Sequence, residues 1–422
     1  MAQPCVAYYD GRMNYRQVLV CGAMGLLLCA IPHAAVADQA TATPAATQTP
    51  VPAGSATASP ASPSPSPSPS PSSTSLTLGP LTVDGVFSFF SAYTSGVNAS
   101  GSFDTTGGAD RSNRTDISNA FLIVNKNAGT FRYGFAAGAY NIPVLGFALN
   151  NTIQNGANTS LYGALPSVYA MYAPTASFNI EAGKLATFTG QESTYTYENP
   201  NIERGIVWNM ETAVSRAVRA NFTGAKFNAG LEVDDGFYSG NRLGVQGQIS
   251  NTPNASTTLA FVFVVPNASA PGNPTSSIAN KRLYNPLLTY TTGKWTFAPY
   301  ALFVESPANT ALGYTNSEHA FGGVLNATYA VNSDWNVAGR VEYGKNGSTA
   351  TDTGANANLL GYGPGSSAWT YTLTPAYRHG VFFARADLSE VSVGSFAHGA
   401  AFGTAGTTAS QFRTVLESGI QF

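Results

Sequence analysis

The sequence predicts an all-β fold: a transmembrane, antiparallel, up-and-down β-barrel of about 16 strands, with short periplasmic turns and long extracellular loops. Three observations predict it. From Leu81 onward, sixteen segments alternate polar and apolar residues with period two, the spacing that sends successive side chains to opposite faces of a strand. The connections between those segments alternate long and short to the end of the chain, as in a barrel spanning an outer membrane with both termini on the periplasmic side. Charged residues make up only 10% of the 422 residues, mean hydropathy is near zero (-0.02), and no apolar run after the N-terminus approaches the roughly 20 residues of a membrane helix.

Taken in order, residues 1–37 read as a secretion signal. Arg12 and Arg16 precede the apolar VLVCGAMGLLLCAI, and Ala35-Val36-Ala37 supplies small residues for cleavage before Asp38. All three cysteines, Cys5, Cys21 and Cys29, fall in this segment, so the exported chain is expected to carry no disulfide framework. Residues 38–77 read as a disordered periplasmic linker rich in Pro, Ser, Thr and Ala. Its SPSPSPSPSP run favours extended polyproline coil at about 3.1 Å per residue. Residues 78–422 keep one texture throughout and read as a single barrel domain.

Within the strands, the alternation assigns faces. In VFFARADLSE, Phe382, Ala384, Ala386 and Leu388 share one face, and Arg385, Asp387 and Ser389 the other. In DWNVAGRVEYG, Trp335, Val337, Val341 and Tyr343 oppose Asn336, Arg340 and Glu342; KFNAGLEV sets Phe227, Leu231 and Val233 against Asn228 and Glu232. The terminal QFRTVLESGIQF puts Leu416 and Phe422 on one face and Arg413, Glu417 and Gln421 on the other. A soluble sandwich would need more charge on its exposed faces than this chain carries, whereas in lipid the apolar face turns outward and the polar face lines a wet lumen. Tyr93, Tyr140, Trp295, Tyr343, Trp369 and Phe422 near segment ends are candidates for interfacial girdles. Sixteen strands, unlike eight, enclose an aqueous channel.

Residues 181–219 concentrate charge: Glu181, Lys184, Glu192, Glu198, Glu203, Arg204, Glu211, Arg216 and Arg219. Two readings stand side by side. The long connection here folds into the lumen and narrows it, its opposed charges setting a transverse field that favours polar solutes; or it is an external loop whose charges face water. The candidate pore and constriction residues are therefore Lys184, Glu192, Arg204, Arg216 and Arg219, with Arg340, Glu342, Arg385, Asp387, Arg413 and Glu417 from the polar faces of strands. Phe422 is the candidate assembly signal.

Two stretches carry a family resemblance. LESGIQF, alternating and ending in Phe, resembles the terminal signal that Gram-negative outer-membrane porins present to the barrel-assembly machinery. EAGKLATFTGQESTYTYENPNIERGIVW resembles the OmpL-like porin family, in which a strand carrying Gly-Lys leads through Gly-x-Glu into a polar loop; the matching positions are Gly183, Lys184, Gly190 and Glu192. The resemblance implies a diffusion channel of weak or no selectivity for small hydrophilic solutes, embedded in outer-membrane lipid. Homotrimer formation stays open.

Other functions find little support. The net charge of -2 argues against a nucleic-acid partner. No cofactor motif, metal-ligand spacing or nucleophile motif stands in the mature chain, so neither an enzyme nor a cofactor is expected; the Asp-Asp-Gly at 234–236 reads as a turn rather than a calcium loop. The competing readings are a barrel with a structural or adhesive role through its long loops, and a soluble β-rich adhesin.

Overall fold

The computed structural model describes residues 75–97, 111–149, 162–236, 243–266, 281–310, 313–352, 354 and 356–422. The predicted signal peptide and all but the last three residues of the predicted linker lie outside them.

Among the described residues, seventeen strands form one sheet. In chain order they are β1 (Leu76–Leu78), β2 (Leu81–Thr94), β3 (Asn113–Lys126), β4 (Phe131–Tyr140), β5 (Ser167–Tyr172), β6 (Phe178–Ala186), β7 (Val214–Thr223), β8 (Phe227–Asp234), β9 (Gly244–Asn254), β10 (Thr257–Pro266), β11 (Arg282–Thr292), β12 (Trp295–Ser306), β13 (Glu318–Ala330), β14 (Trp335–Asn346), β15 (Ser367–His379), β16 (Phe382–Gly394) and β17 (Ser410–Gln421). Each strand from β2 to β17 pairs antiparallel with its sequence neighbour, and β17 pairs back onto β2, closing a sixteen-stranded barrel. All sixteen alternating segments of the sequence are these strands. The additional β1 is three residues folded back on β2 through a turn at Gly79-Pro80, so a strand occupies the last two residues of the predicted linker.

Closure is completed by the last residue. Beyond the Gln421↔Val86 pair, Phe422 N–H donates to Gly85 O (3.0 Å) and Gly85 N–H donates to Phe422 O (2.9 Å). The Phe422 ring lies over Gly85, where an added Cβ would sit 2.4 Å from the ring. A side chain at this position would displace the ring.

Connections at one barrel end are short, such as 255–256, 293–294 and 380–381, and those at the other are long, such as 95–112, 187–213 and 347–366. The predicted faces hold. In β17, Gln411, Arg413, Val415 and Glu417 are buried within the barrel while Phe412 and Leu416 are exposed outside. Exposed Phe, Tyr, Trp, Leu, Val and Ile cover the outer wall, as a hydrocarbon solvent requires. Aromatic pairs mark its two ends: Phe131–Tyr172, Trp295–Tyr329 and Trp335–Tyr377 toward the short turns, Phe303–Phe321 and Tyr343–Trp369 toward the long loops. One expected girdle residue is elsewhere. Tyr140 is 6% exposed, points inward and stacks on Phe121, because it continues the inward register of β4.

The lumen is substantially filled. Toward the long-loop end of β10–β16, inward apolar residues such as Val262, Leu302, Val304 and Val391 pack with Leu145, Ile206, Val207, Met210, Leu360, Tyr362 and Phe402 from four long connections. Burying one large aliphatic side chain is worth about 1.5–3 kcal/mol, so this cluster holds the connections inside.

Candidate functional site

The segment 187–213 between β6 and β7 enters the barrel, which decides between the two sequence readings in favour of the inward one. Its composition explains the choice: Ile202, Ile206, Val207 and Met210 are all 0% exposed, and an external loop would leave them in water. Two short 3₁₀ turns, Thr196–Glu198 and Trp208–Met210, bend its path.

Wall side chains hold the segment by its backbone. Asp387 on β16 accepts from the N–H groups of Ile202 and Glu203 (both 2.9 Å) and from Thr374 Oγ1 (2.6 Å). Glu342 on β14 accepts from the N–H groups of Ile206 (3.1 Å) and Val207 (3.2 Å) and from Thr370 Oγ1 (2.6 Å). Each carboxylate thus caps two successive amides that the barrel interior would otherwise leave unpaired, a charge-assisted arrangement.

Cationic side chains complete the grip. Arg340 pairs with Glu192 of the segment and donates to Glu203 O (2.7 Å), while Glu192 also accepts from Gly205 N–H (3.0 Å). Arg413 on β17 pairs with Glu203 (2.6 Å) and donates to Phe147 O (2.7 Å), tying in the 141–149 connection. Arg385 forms a two-pronged pair with Glu417 (2.9 and 2.7 Å) and donates to Asn199 O (2.6 Å). Glu417 accepts in turn from Ser88, Asn119 and Thr196. The register shift opposite Ser88 turns both Ser118 and Asn119 inward, which brings Asn119 to this cluster. Arg204, 0% exposed, donates to Thr194 O (2.8 Å) and Pro143 O, and burial lowers its pKa to about 10. Arg219 is buried against Glu232 and Glu181, with its guanidinium 4.0 Å above the Phe188 ring.

Nine of the eleven sequence candidates therefore turn inward: Glu192, Arg204, Arg219, Arg340, Glu342, Arg385, Asp387, Arg413 and Glu417. Their buried ion pairs and hydrogen bonds make them anchors more than a wet lining. Lys184 and Arg216 are corrections. They pair across β6 and β7 in the register of the outward residues Ile180, Ala182, Val218 and Phe222; Arg216 is bonded to Asp235 with its side chain 57% exposed, and Lys184 donates to Tyr162 O. Neither faces the lumen, because parity on a strand, not local charge density, sets direction.

Sequence reasoning also missed anchors. Glu203 was counted among the charges but not singled out, and the uncharged Gln246 and Asn285 accept from Phe188 N–H (3.1 Å) and Gly190 N–H (2.8 Å). Their inward positions on β9 and β11 were the available signal. Among the described residues no group of His, Cys, Asp and Glu could hold a metal ion.

Space remains beside the segment. A cavity of about 300 Å³ lies between it and β3–β6, and smaller cavities adjoin it toward the short-turn end, one sharing Glu192 and lined by Asn201, Thr296 and Asn326, another sharing Tyr197 and lined by Asn336, Arg378 and Arg385.

Residues 80–422 match the family model described as "Putative beta-barrel porin-2, OmpL-like". Among solved structures, the chain is similar to the outer membrane channel DcaP of Acinetobacter baumannii (TM-score 0.53, 10% identity, 81% of this chain and 97% of that one). It is equally similar to an anion-selective porin from Comamonas acidovorans (TM-score 0.53, 10% identity, 81% and 99%). The trimer form of OmpT, an outer membrane protein of Vibrio cholerae, follows at TM-score 0.52 and 9% identity, covering 81% and 99%. At such identities the likeness concerns the fold. No curated protein matches the sequence.

Proposed function

Because the chain belongs to the OmpL-like β-barrel porin family, we propose that it is an outer-membrane pore that passes small hydrophilic solutes by passive diffusion. The observation that carries this reading is a closed sixteen-stranded barrel whose lumen is narrowed, from inside, by a segment bolted to one wall and separated from the other by a cavity. Solutes take the route along β3–β6, where the segment leaves a cavity of about 300 Å³ against the wall, sorted by size and by the charges they meet, with no chemical step. The short-turn end faces the periplasm, the signal peptide 1–37 directs export, and Phe422 is read by the barrel-assembly machinery in a Gram-negative cell. Assembly as a homotrimer is in keeping with the trimer form of its structural neighbour OmpT.

Planar-bilayer recording tests the reading. Folded, heat-modifiable protein is expected to give stepwise conductance; folded protein that gives no steps overturns it and leaves a structural or adhesive barrel.

A further inference from the structure

The cavity beside the inward segment has a chemistry that the diffusion of hydrophilic solutes does not require. Its aromatic side chains include Tyr169, which points inward from β5, and Tyr195, Tyr197 and Trp208 from the segment. Tyr195 and Tyr197 stack nearly parallel (centroids 6.1 Å apart, 13° between planes), and Tyr195 is braced edge-on by Phe121 and Tyr140. That bracing fixes the rings in place, so a ligand would meet a prepared surface and lose little in ordering it.

The charges of the lining have one sign. Two lining side chains are carboxylates, Glu192 and Glu198, and none is basic. Glu192 is already committed to Arg340 and to Gly205 N–H. Glu198 accepts through Oε2 from Ser193, is also hydrogen-bonded to Tyr197 of the lining, and remains exposed on the lumen side. The nearby Arg204 guanidinium is turned to backbone carbonyls of Thr194, Pro143 and Ile202. Aromatic faces together with an accessible carboxylate attract a positive charge carried on an apolar body, by cation–π attraction and ion pairing in a partly desolvated site. Hydroxyl and amide groups of Thr187, Thr189 and Asn125 supply further polar contacts, and a volume of about 300 Å³ suits a small ring-bearing molecule.

We propose that this cavity is a binding station for small organic cations carrying an aromatic or other flat apolar group, with Glu198 meeting the charge and Tyr195, Tyr197 and Trp208 meeting the apolar face. The proposal rests on the pore reading for its place in transport, since the station lies on the solute route.

Calorimetric titration of the folded full-length chain in detergent, with benzylamine hydrochloride, benzyl alcohol and sodium benzoate as probes, tests it. Benzylammonium is expected to bind saturably, benzyl alcohol about tenfold more weakly and benzoate not measurably. Glu198→Gln and Tyr197→Leu, each checked for heat-modifiable folding, are each expected to weaken benzylammonium binding by about tenfold. Equal binding of all three probes, absence of benzylammonium binding, or an unchanged affinity in both folded variants overturns the station. Conductance recorded on the same preparation separates the two claims: channels without binding sink the station and leave the pore, and binding without channels sinks the pore and leaves the site.

Discussion

The two sides of the lumen are built differently. Along β9–β17, wall and inward segment are joined by buried charges and an apolar cluster: Asp387 and Glu342 hold four backbone amides, Arg340 and Arg413 hold Glu192 and Glu203, and Ile206, Val207 and Met210 sit among wall valines and leucines. Along β3–β6 the wall and the segment meet through tyrosine rings and leave a cavity. A narrow channel needs one rigid boundary to fix its width and one open boundary to carry solute. Most of the paired charge lies on the first side, while aromatic and hydroxyl groups, with the exposed carboxylate of Glu198, line the cavity on the second.

The bluntest way to erase the difference is to stop the barrel from closing. Phe422 supplies the last two hydrogen bonds of the β17–β2 seam and covers Gly85. Deleting Phe422 is expected to give the largest effect of any change considered, a loss of most of the folded outer-membrane protein, read as the heat-modifiable band on gels. Normal levels of that band would show that the seam and the assembly signal lie elsewhere.

Next in size is the removal of a bolt. Arg340 stands between Glu192 and Glu342 with its side chain fully buried, and taking away one partner of such a group leaves uncompensated charge at a cost of about 3–5 kcal/mol. Arg340→Ala is expected to release segment 187–213 from the β14 wall, raising both single-channel conductance and proteolytic cleavage within the segment. An unchanged conductance together with an uncleaved segment would mean that the apolar cluster alone sets the boundary.

Much of this was legible in the sequence. Period two and the alternation of connection lengths gave every strand of the barrel, because a lipid outside and a wet or packed inside impose opposite demands on adjacent residues. Arg340, Glu342, Arg385, Asp387, Arg413 and Glu417 were legible for the same reason. Their partners were not: Asp387 meets Ile202 and Glu203 across 185 and 184 positions of chain, contacts that depend on how the segment crosses the lumen. The apolar Ile206 and Val207 inside a polar connection were the readable hint that it turns inward.

A smaller effect, dependent on pH, is expected at Glu211. It lies in the segment at 4% exposure, and burial, followed by the neighbouring Glu192 charge, pushes its carboxyl well above the ordinary value of 4.5. The native state therefore favours the protonated form, and docking weakens as pH climbs above 4.5, where the released segment ionises freely and the docked one resists. Gly190, with φ of 77°, admits Glu211 because an added Cβ would fall on its carboxylate. Cleavage of the segment in the native protein is expected to accelerate with rising pH, and Glu211→Gln to flatten that dependence; an equal slope in the variant would place the sensitivity at another group.

The smallest effect is expected at Arg216, and its contrast with Arg219 isolates what direction alone contributes. The two arginines lie three residues apart on β7, an odd separation that sends them to opposite faces. Arg219 is held inside by Glu232 and Glu181, so Arg219→Gln strands two buried carboxylates at a cost of about 3–5 kcal/mol. Arg216 reaches Asp235 at the outer rim with its side chain 57% exposed, where an ion pair contributes about 0–1 kcal/mol and water serves either charge in its absence. Thermal unfolding in detergent is expected to drop sharply for Arg219→Gln and to change little for Arg216→Gln, with ion selectivity altered only by the former. A selectivity shift from Arg216→Gln as large as that from Arg219→Gln would mean that the outer rim, and not the inner face of β7, sets the field that a solute crosses.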